Sequence, residues 1–357
     1  MPATYKILIM GASYGSLLAS KILFGGHKVH LVCLPAEADL INAEGFRVRL
    51  PVRGRKEPVE LDSRKLAGKV TAGGAGGVNP RDYDLIGLAM QEPQYRSPGV
   101  RELLDAVGKS RVPCMSIMNM PPLAYVKRIA GLNYDALKPA YTDASVWDSF
   151  DPGSITLCSP DPQAIRPPEE KVNVLLVTLP TNFKVARFDS EQSTAILRQL
   201  EAEIDAVRYP TPEGGIELPV HLRVHDSIFV PLAKWAMLLA GNYRCITRDG
   251  MRTAQEAVHS DIETSRSVYN FVNDLCVRLG ANPDDLVPFE KYAAAAQSLT
   301  RPASAARALY NGAPNIERAD KLVQLIAKQK GLSHPVIDAT VALVDAQLEA
   351  NRKKAAA

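Results

Sequence analysis

From Lys6 the chain runs apolar for the length of a strand, through Ile7, Leu8, Ile9 and Met10, breaks at Gly11, and resumes with helical spacing from Ser16 to Phe24. A second apolar run, Val29 to Cys33, follows Gly26. Strand, glycine turn, helix and strand in that order open a βαβ unit. Phe46 to Leu50 alternates as a half-exposed strand does, Asp84 to Met90 and Val112 to Met118 read as buried strands, and Arg101 to Lys109 between them as a helix. Tyr141 to Ser159 and Val172 to Phe188 look like strands with turns, and Ser190 to Val207 is helical, with apolar residues at Ala195, Ile196, Leu200, Ile204 and Ala206. Pro210, Pro212, Gly214 and Gly215 then interrupt every regular pattern. Beyond them the periodicity is helical over Val224 to Ile246, Thr253 to Leu279, Phe289 to Leu299, Ile316 to Gln329 and Pro335 to Asn351. The pattern predicts an α/β domain over residues 1–215 and an all-helical domain over residues 216–357.

The first turn is where chemistry is expected. Gly11, Ala12, Ser13, Tyr14 and Gly15 stand between a strand and a helix, where unpaired backbone N–H groups and the positive end of the helix dipole receive a pyrophosphate. That assigns a Rossmann-like fold to the first domain and cofactor contacts to these five residues. The motif is an incomplete G-x-G-x-x-G, since Ser13 occupies the second glycine position and Gly15 falls one place early. The same letters fit the G-x-S-x-G elbow of hydrolases, but that elbow follows several strands, and no downstream acid and histidine pair with Ser13. A purely structural βα turn is the other alternative. The loop leaving the Asp84 to Met90 strand lies at a strand's C-terminal end, so Met90 is expected beside the cofactor.

Bulk properties narrow the class. A length of 357 residues suggests two domains. A net charge of +3 is too small to argue for nucleic acid or an anionic membrane, and no apolar run reaches the length of a bilayer span. Five scattered cysteines, none in a C-x-x-C pair, fit a reducing cytoplasm and support neither a disulfide framework nor a metal site.

In the second half, Lys234 stands in an otherwise apolar helical stretch with Asn242 eight residues on, just over two helical turns, so the two share a face. Here the whole chain resembles the ketopantoate reductase family. The resemblance rests on the Gly11 turn, on Gly26 and His27 before the second strand, on Asn119 after a strand, on Lys234 with Asn242, and on Asn315 to Asp320 followed by Gly331 to Pro335. It implies a C-terminal domain like that of 6-phosphogluconate dehydrogenase and reduction of a 2-oxo acid by a nicotinamide cofactor in the cleft between the domains. Lys234 would be the general acid and Asn119 would orient the lysine or the nicotinamide. Asn242, Ser304 and Asn315 would contact a small-molecule substrate. The cofactor would be NADP or NAD, with NADP favoured by the resemblance alone, and two copies would pair, if they pair, through the helical domain.

The chain departs from the family in four places. Asn315 aligns with an acidic residue, and Glu317, two places on, would face elsewhere on a helix. Leu34 and Met90 stand where NADPH-specific members carry an arginine and a lysine, and Met120 replaces a glycine after Asn119. Glu37 and Asp39 fall late for a ribose contact. His221 and His225, before the Lys234 helix, leave open an opine-type dehydrogenase that reduces an imine. The charge-neutral Asn315 leaves open a catalytically inactive dinucleotide sensor. His259, Asp261 and Glu263 do not share one helix face and read as solvated.

Overall fold

The structure is a computed structural model and describes residues 3–356. The chain forms two compact units. The first comprises Met1–Met90, Gln94–Met118 and Val146–Asp226, and the second Gln91–Pro93, Asn119–Ser145 and Ser227–Ala357. Pro210 to Gly215, read above as a break between domains, folds within the first unit as a small hairpin, Tyr209–Thr211 against Gly214–Ile216.

The first unit is built on an eight-stranded sheet. Its strands in chain order are β1 (Lys6–Met10), β2 (Lys28–Val32), β5 (Lys69–Gly73), β6 (Leu85–Leu88), β7 (Cys114–Ile117), β8 (Ile155–Ser159), β11 (Phe183–Ala186) and β14 (Leu222–His225). They lie side by side as β14-β11-β8-β7-β6-β1-β2-β5. The six strands from β5 to β8 are parallel, and β11 joins β8 antiparallel. Counted within the sheet, these six run 3-2-1-4-5-6, the doubly wound order whose switch point falls between β1 and β6. Ile7, Leu8, Ile9 and Met10 are all buried, as a central parallel strand covered on both faces requires.

Helix α1 (Ala12–Phe24) buries residues all round its axis, including Leu17, Leu18, Ala19, Ile22 and Leu23. A helix apolar on every side needs a second cover. A four-stranded sheet of β3 (Arg47–Leu50), β4 (Val59–Asp62), β9 (Gln163–Ile165) and β10 (Val174–Leu179), ordered β4-β3-β10-β9, supplies it. Val48, Leu50, Leu61, Leu175 and Val177 join the same core as α1. On the opposite face Arg49 bridges Glu60 and Glu170 at 2.8 and 2.6 Å, the alternation expected of a one-sided sheet. The flanking helices are α2 (Pro35–Glu44), α3 (Val100–Ser110) and α5 (Glu191–Ala206), whose core face is Thr194, Leu197, Leu200 and Ile204.

The second unit is helical: α4 (Leu123–Val126), α6 (Lys234–Met237), α7 (Ala254–His259), α8 (Ile262–Arg278), α9 (Phe289–Ala296), α10 (Ser304–Tyr310), α11 (Ala319–Gln329) and α12 (Pro335–Ala356). Three details differ from the sequence reading. Tyr141 to Ser154 forms short 3-10 turns, and only Ile155–Ser159 is a strand. The Val224 to Ile246 stretch is a strand end, a 3-10 turn at Pro231–Ala233, the single α-turn of α6, a π-turn at Leu238–Asn242 and a further 3-10 turn. And α11 starts at Ala319, so Asn315 to Arg318 lies before the helix, without regular secondary structure.

Candidate active site

In the first unit, Gly11 leaves β1 with φ +105° and carries the chain into α1. No side chain caps the helix, so the first-turn N–H groups, those of Ala12, Ser13 and Tyr14, remain for a ligand. A Cβ at Gly11 would stand 2.6 Å from Met90 Cγ and 2.8 Å from the Ala89 carbonyl oxygen. The ends of β1 and β6 therefore close on each other across the switch point through a position only glycine fills. Gly15 does the work of the third glycine, since a Cβ there would lie 2.7 Å from Ile9 Cγ2 on the strand beneath. Ser13 is exposed, and Tyr14 is turned to donate from its hydroxyl to the Pro162 carbonyl at 2.6 Å. Met90 gives its N–H to the Tyr95 hydroxyl at 3.1 Å. These features fit a dinucleotide pyrophosphate on backbone groups alone.

Gly11→Ala is expected to weaken nicotinamide dinucleotide binding and lower stability by about 1–3 kcal/mol, because positive φ and a carbonyl in the way both oppose a Cβ. Ser13→Ala should do neither. Cofactor fluorescence titrations and thermal melts of both variants check this, and an unchanged Gly11→Ala protein would count against the cradle.

At the end of β2, Leu34 is 75% exposed and no basic residue follows it directly. Glu37, in the first turn of α2, is ion-paired there with Arg166, which comes from the segment after β9. Burial pushes the thiol of nearby Cys33 up to about 12, and Glu37 adds to the shift.

In the second unit the polar residues converge on Glu317. It is 8% exposed, and its carboxyl accepts from the Glu92 N–H and from Asn119 Nδ2, each at 3.4 Å, and from the Met120 N–H. Burial raises the Glu317 pKa from 4.5 to about 7, with the neighbouring Glu92 charge adding to the rise and the three donors opposing it. Glu92, 2% exposed, accepts from the Thr142 N–H at 3.0 Å and from its hydroxyl at 2.8 Å. Behind it, burial first and Glu92 second hold the Tyr141 phenol well above its usual pKa.

The Asn315 to Arg318 segment is held at several points. Arg352 of α12 donates to Asn315 Oδ1 at 3.0 Å. Arg318 grips both oxygens of Asp320 at 2.9 and 3.0 Å and also bonds Asp345. The Tyr243 hydroxyl donates to the Glu317 carbonyl at 2.5 Å and accepts the Ala319 N–H at 3.0 Å, so it caps α11 in place of a side chain of the segment itself.

Lys234 is half-buried at the start of α6, and Asn242, also half-buried, closes the π-turn just before Tyr243. In an α-helix eight residues overrun two turns by about 0.8 residue. The wider π-turn, sealed by the Tyr243 N–H bonding the Leu238 carbonyl, takes up part of that overrun and brings Lys234 and Asn242 closer to one line. Gly241 makes room for it: a Cβ there would lie 1.9 Å from the Tyr292 hydroxyl of α9. Ser304 is exposed at the start of α10, whose preceding N–H, from Ala303, bonds the sulfur of buried Cys245.

Thus Asn119 meets Glu317, and Glu317 meets the turn that carries Asn242. Asn315 is held apart by Arg352, and Ser304 lies at a helix start. Sequence reasoning had passed over Glu92, Thr142 and Tyr243. A glutamate between a glutamine and a proline carries no sign that it will be buried. The histidines and acids behave as separate structural groups. In the first unit His221 lies between Asp205, at 2.6 Å, and Glu217, at 3.1 Å. In the second, His259 bonds the Ala293 carbonyl while Asp261 caps α8.

No family model matches the sequence, and no curated protein matches it. Solved structures do. A 2-dehydropantoate 2-reductase from Methylococcus capsulatus aligns over 97% of this chain and 97% of its own, at 13% identity and a TM-score of 0.62. A ketopantoate reductase of the PanE/ApbA family from Ralstonia eutropha JMP134 aligns over 97% and 99%, at 16% identity and 0.59. D-mandelate dehydrogenase, in a ternary structure with NADH and anilino(oxo)acetate, aligns over 97% and 99%, at 15% identity and 0.62. The architecture is a Rossmann-like domain followed by a helical region. More narrowly, the chain has the fold of the ketopantoate reductases over nearly its full length.

Proposed function

We propose that this protein is a nicotinamide dinucleotide-dependent reductase of a 2-oxo acid or a related carbonyl, a divergent member of the ketopantoate reductase family. The observation that carries the reading is the uncapped glycine turn at the switch point of a 3-2-1-4-5-6 sheet, followed by a helical half in which an α-turn from Lys234 runs into the π-turn that ends at Asn242. NADH or NADPH, when bound, supplies the hydride. The N–H groups of Ala12 and Ser13 hold its pyrophosphate. Lys234 gives a proton to the carbonyl oxygen as negative charge gathers there, and its ammonium stabilises that charge beforehand. Asn242 orients the substrate and Asn119 the reacting groups. The neutral Asn315 does not leave this region without an acid, because Glu317 brings a carboxyl to Asn119. D-mandelate dehydrogenase, which shares the fold, is solved with NADH.

The test is direct. Titration with NADH and NADPH, followed by fluorescence, should show saturable binding of at least one. Oxidation of the bound dinucleotide should then follow addition of a 2-oxo acid and need no amine. Lack of binding by both dinucleotides would sink the proposal, and turnover only with an added amine would move the assignment to an imine-reducing dehydrogenase.

A further inference from the structure

We propose that Glu317 is a positioning residue whose protonation state decides which end of the Asn119 amide is presented to the reacting groups. The inference rests on the reductase reading for its functional meaning, but its geometry stands within the second unit alone. The Glu317 carboxyl has one oxygen, Oε1, committed to the Glu92 N–H, and the other, Oε2, to Asn119 Nδ2. The Met120 N–H adds a further fixed donor. Backbone N–H groups cannot reverse their role, so the Asn119 amide is the only one of these partners that can exchange donor for acceptor.

While Glu317 is ionised, both its oxygens accept, Asn119 must turn Nδ2 toward it, and Oδ1 faces outward. When Glu317 takes a proton on Oε2, two donors would point at each other. The amide then turns over about its Cβ–Cγ bond, so that Oδ1 accepts from the acid and Nδ2 faces outward. An outward oxygen suits an ammonium, and an outward NH2 suits a carbonyl or carboxylate oxygen. One solvent proton thus inverts the hydrogen-bonding sense of a neutral side chain.

The surroundings favour a titration inside the physiological range, since the carboxyl lies near 7 through burial and the adjacent Glu92. From the Gln91–Pro93 segment the facing charge is Glu92, itself held by Thr142 with Tyr141 behind it. From the turn after α6 it is the Tyr243 phenol, occupied by the Glu317 carbonyl and the Ala319 N–H. On its own segment Arg318 is engaged by Asp320 and Asp345. Each of these neighbours would have to break a hydrogen bond or ion pair of its own to relieve Glu317 of its proton.

Two measurements on the full chain test the proposal. The side-chain amide of Asn119, labelled with 15N-asparagine and assigned by its loss in Asn119→Ser, should move with a single midpoint near pH 7 in the wild type. In Glu317→Gln, whose amide cannot titrate, it should stay fixed from pH 6 to 8.5. An Asn119 signal that does not titrate in the wild type overturns the proposal even if the variant fails to fold, as does the same titration persisting in Glu317→Gln. The second readout is the pH profile of kcat/KM with a 2-oxo acid. A step of roughly 2–10-fold near pH 7, the worth of one neutral hydrogen bond, should vanish in Glu317→Gln. A step that survives there would also overturn it. Absence of any turnover would count against the reductase reading and leave the amide titration to decide this one.

Discussion

Lys234→Ala is expected to lower kcat for reduction of a 2-oxo acid by roughly 10²–10⁴-fold while leaving the affinity for the dinucleotide unchanged, the range that a lost general acid typically costs. The split follows from where the residue stands. The turn proposed to hold the dinucleotide belongs to the first unit and offers the backbone N–H groups after Gly11, whereas Lys234 opens α6 in the second. Removal of the ammonium takes away charge stabilisation that matters only when the carbonyl oxygen becomes negative, so the loss should fall on kcat more than on KM. Lys234→Arg is the sharper control. It keeps a cation but not one that readily gives up a proton, so it should restore some substrate affinity and little turnover. Stopped-flow oxidation of bound NAD(P)H separates the terms. A variant that binds the dinucleotide normally and turns over at the wild-type rate would remove Lys234 from the mechanism.

How far the sequence alone reaches is clearest at three positions. Gly11 was legible because a glycine turn after an apolar strand is a local signal, and its neighbours Ala89 and Met90 only confirm why glycine is required there. The Lys234 to Asn242 stretch was read as one regular helix, which it is not. The π-turn between them depends on Tyr292 of α9 pressing against Gly241, a contact between segments some fifty residues apart that no periodicity in the 230s reveals. Glu317 was misread because α11 was taken to start at Ile316, which turned Glu317 away from Asn315's neighbours. In the folded chain Asn315 to Arg318 lies outside the helix, bonded by Tyr243, Arg352 and Asp345, so helical spacing does not decide where the Glu317 side chain points. The second sheet was missed for a similar reason. Its strands come from residues 47–62 and 163–179, and only the all-round apolar character of α1 hinted that another layer had to cover it.

That covered helix leads to the second large effect, on stability. Lys21→Met should stabilise the protein at pH 7 by several kcal/mol, and the gain should shrink as the pH rises. Lys21 is 3% exposed on α1, and among the described residues its ammonium has only the Leu218 carbonyl at 3.5 Å for a direct hydrogen bond. Burial lowers its pKa from 10.5 to about 7, while the charges of Glu217 and Asp205 recover part of the loss. Between pH 7 and 10.5 the unfolded chain binds this proton and the folded one releases it, so the wild type gains stability as the pH climbs through that window and carries the full penalty below it. With 1.36 kcal/mol per unit the ceiling is on the order of 5 kcal/mol, and the advantage of the variant should fall by about 1.4 kcal/mol for each unit above pH 7. Methionine is unbranched and of similar length, so it fills the space of the buried lysine stem with little strain. Urea denaturation of both proteins at pH 7, 8 and 9 isolates the effect, because the buried tyrosines and cysteines that also titrate at high pH are common to both and cancel in the difference. A difference that is flat over these two units, or that favours lysine at pH 7, would mean that Glu217 and Asp205 compensate the buried ammonium fully, and that α1 tolerates a charge its sequence pattern says it should not.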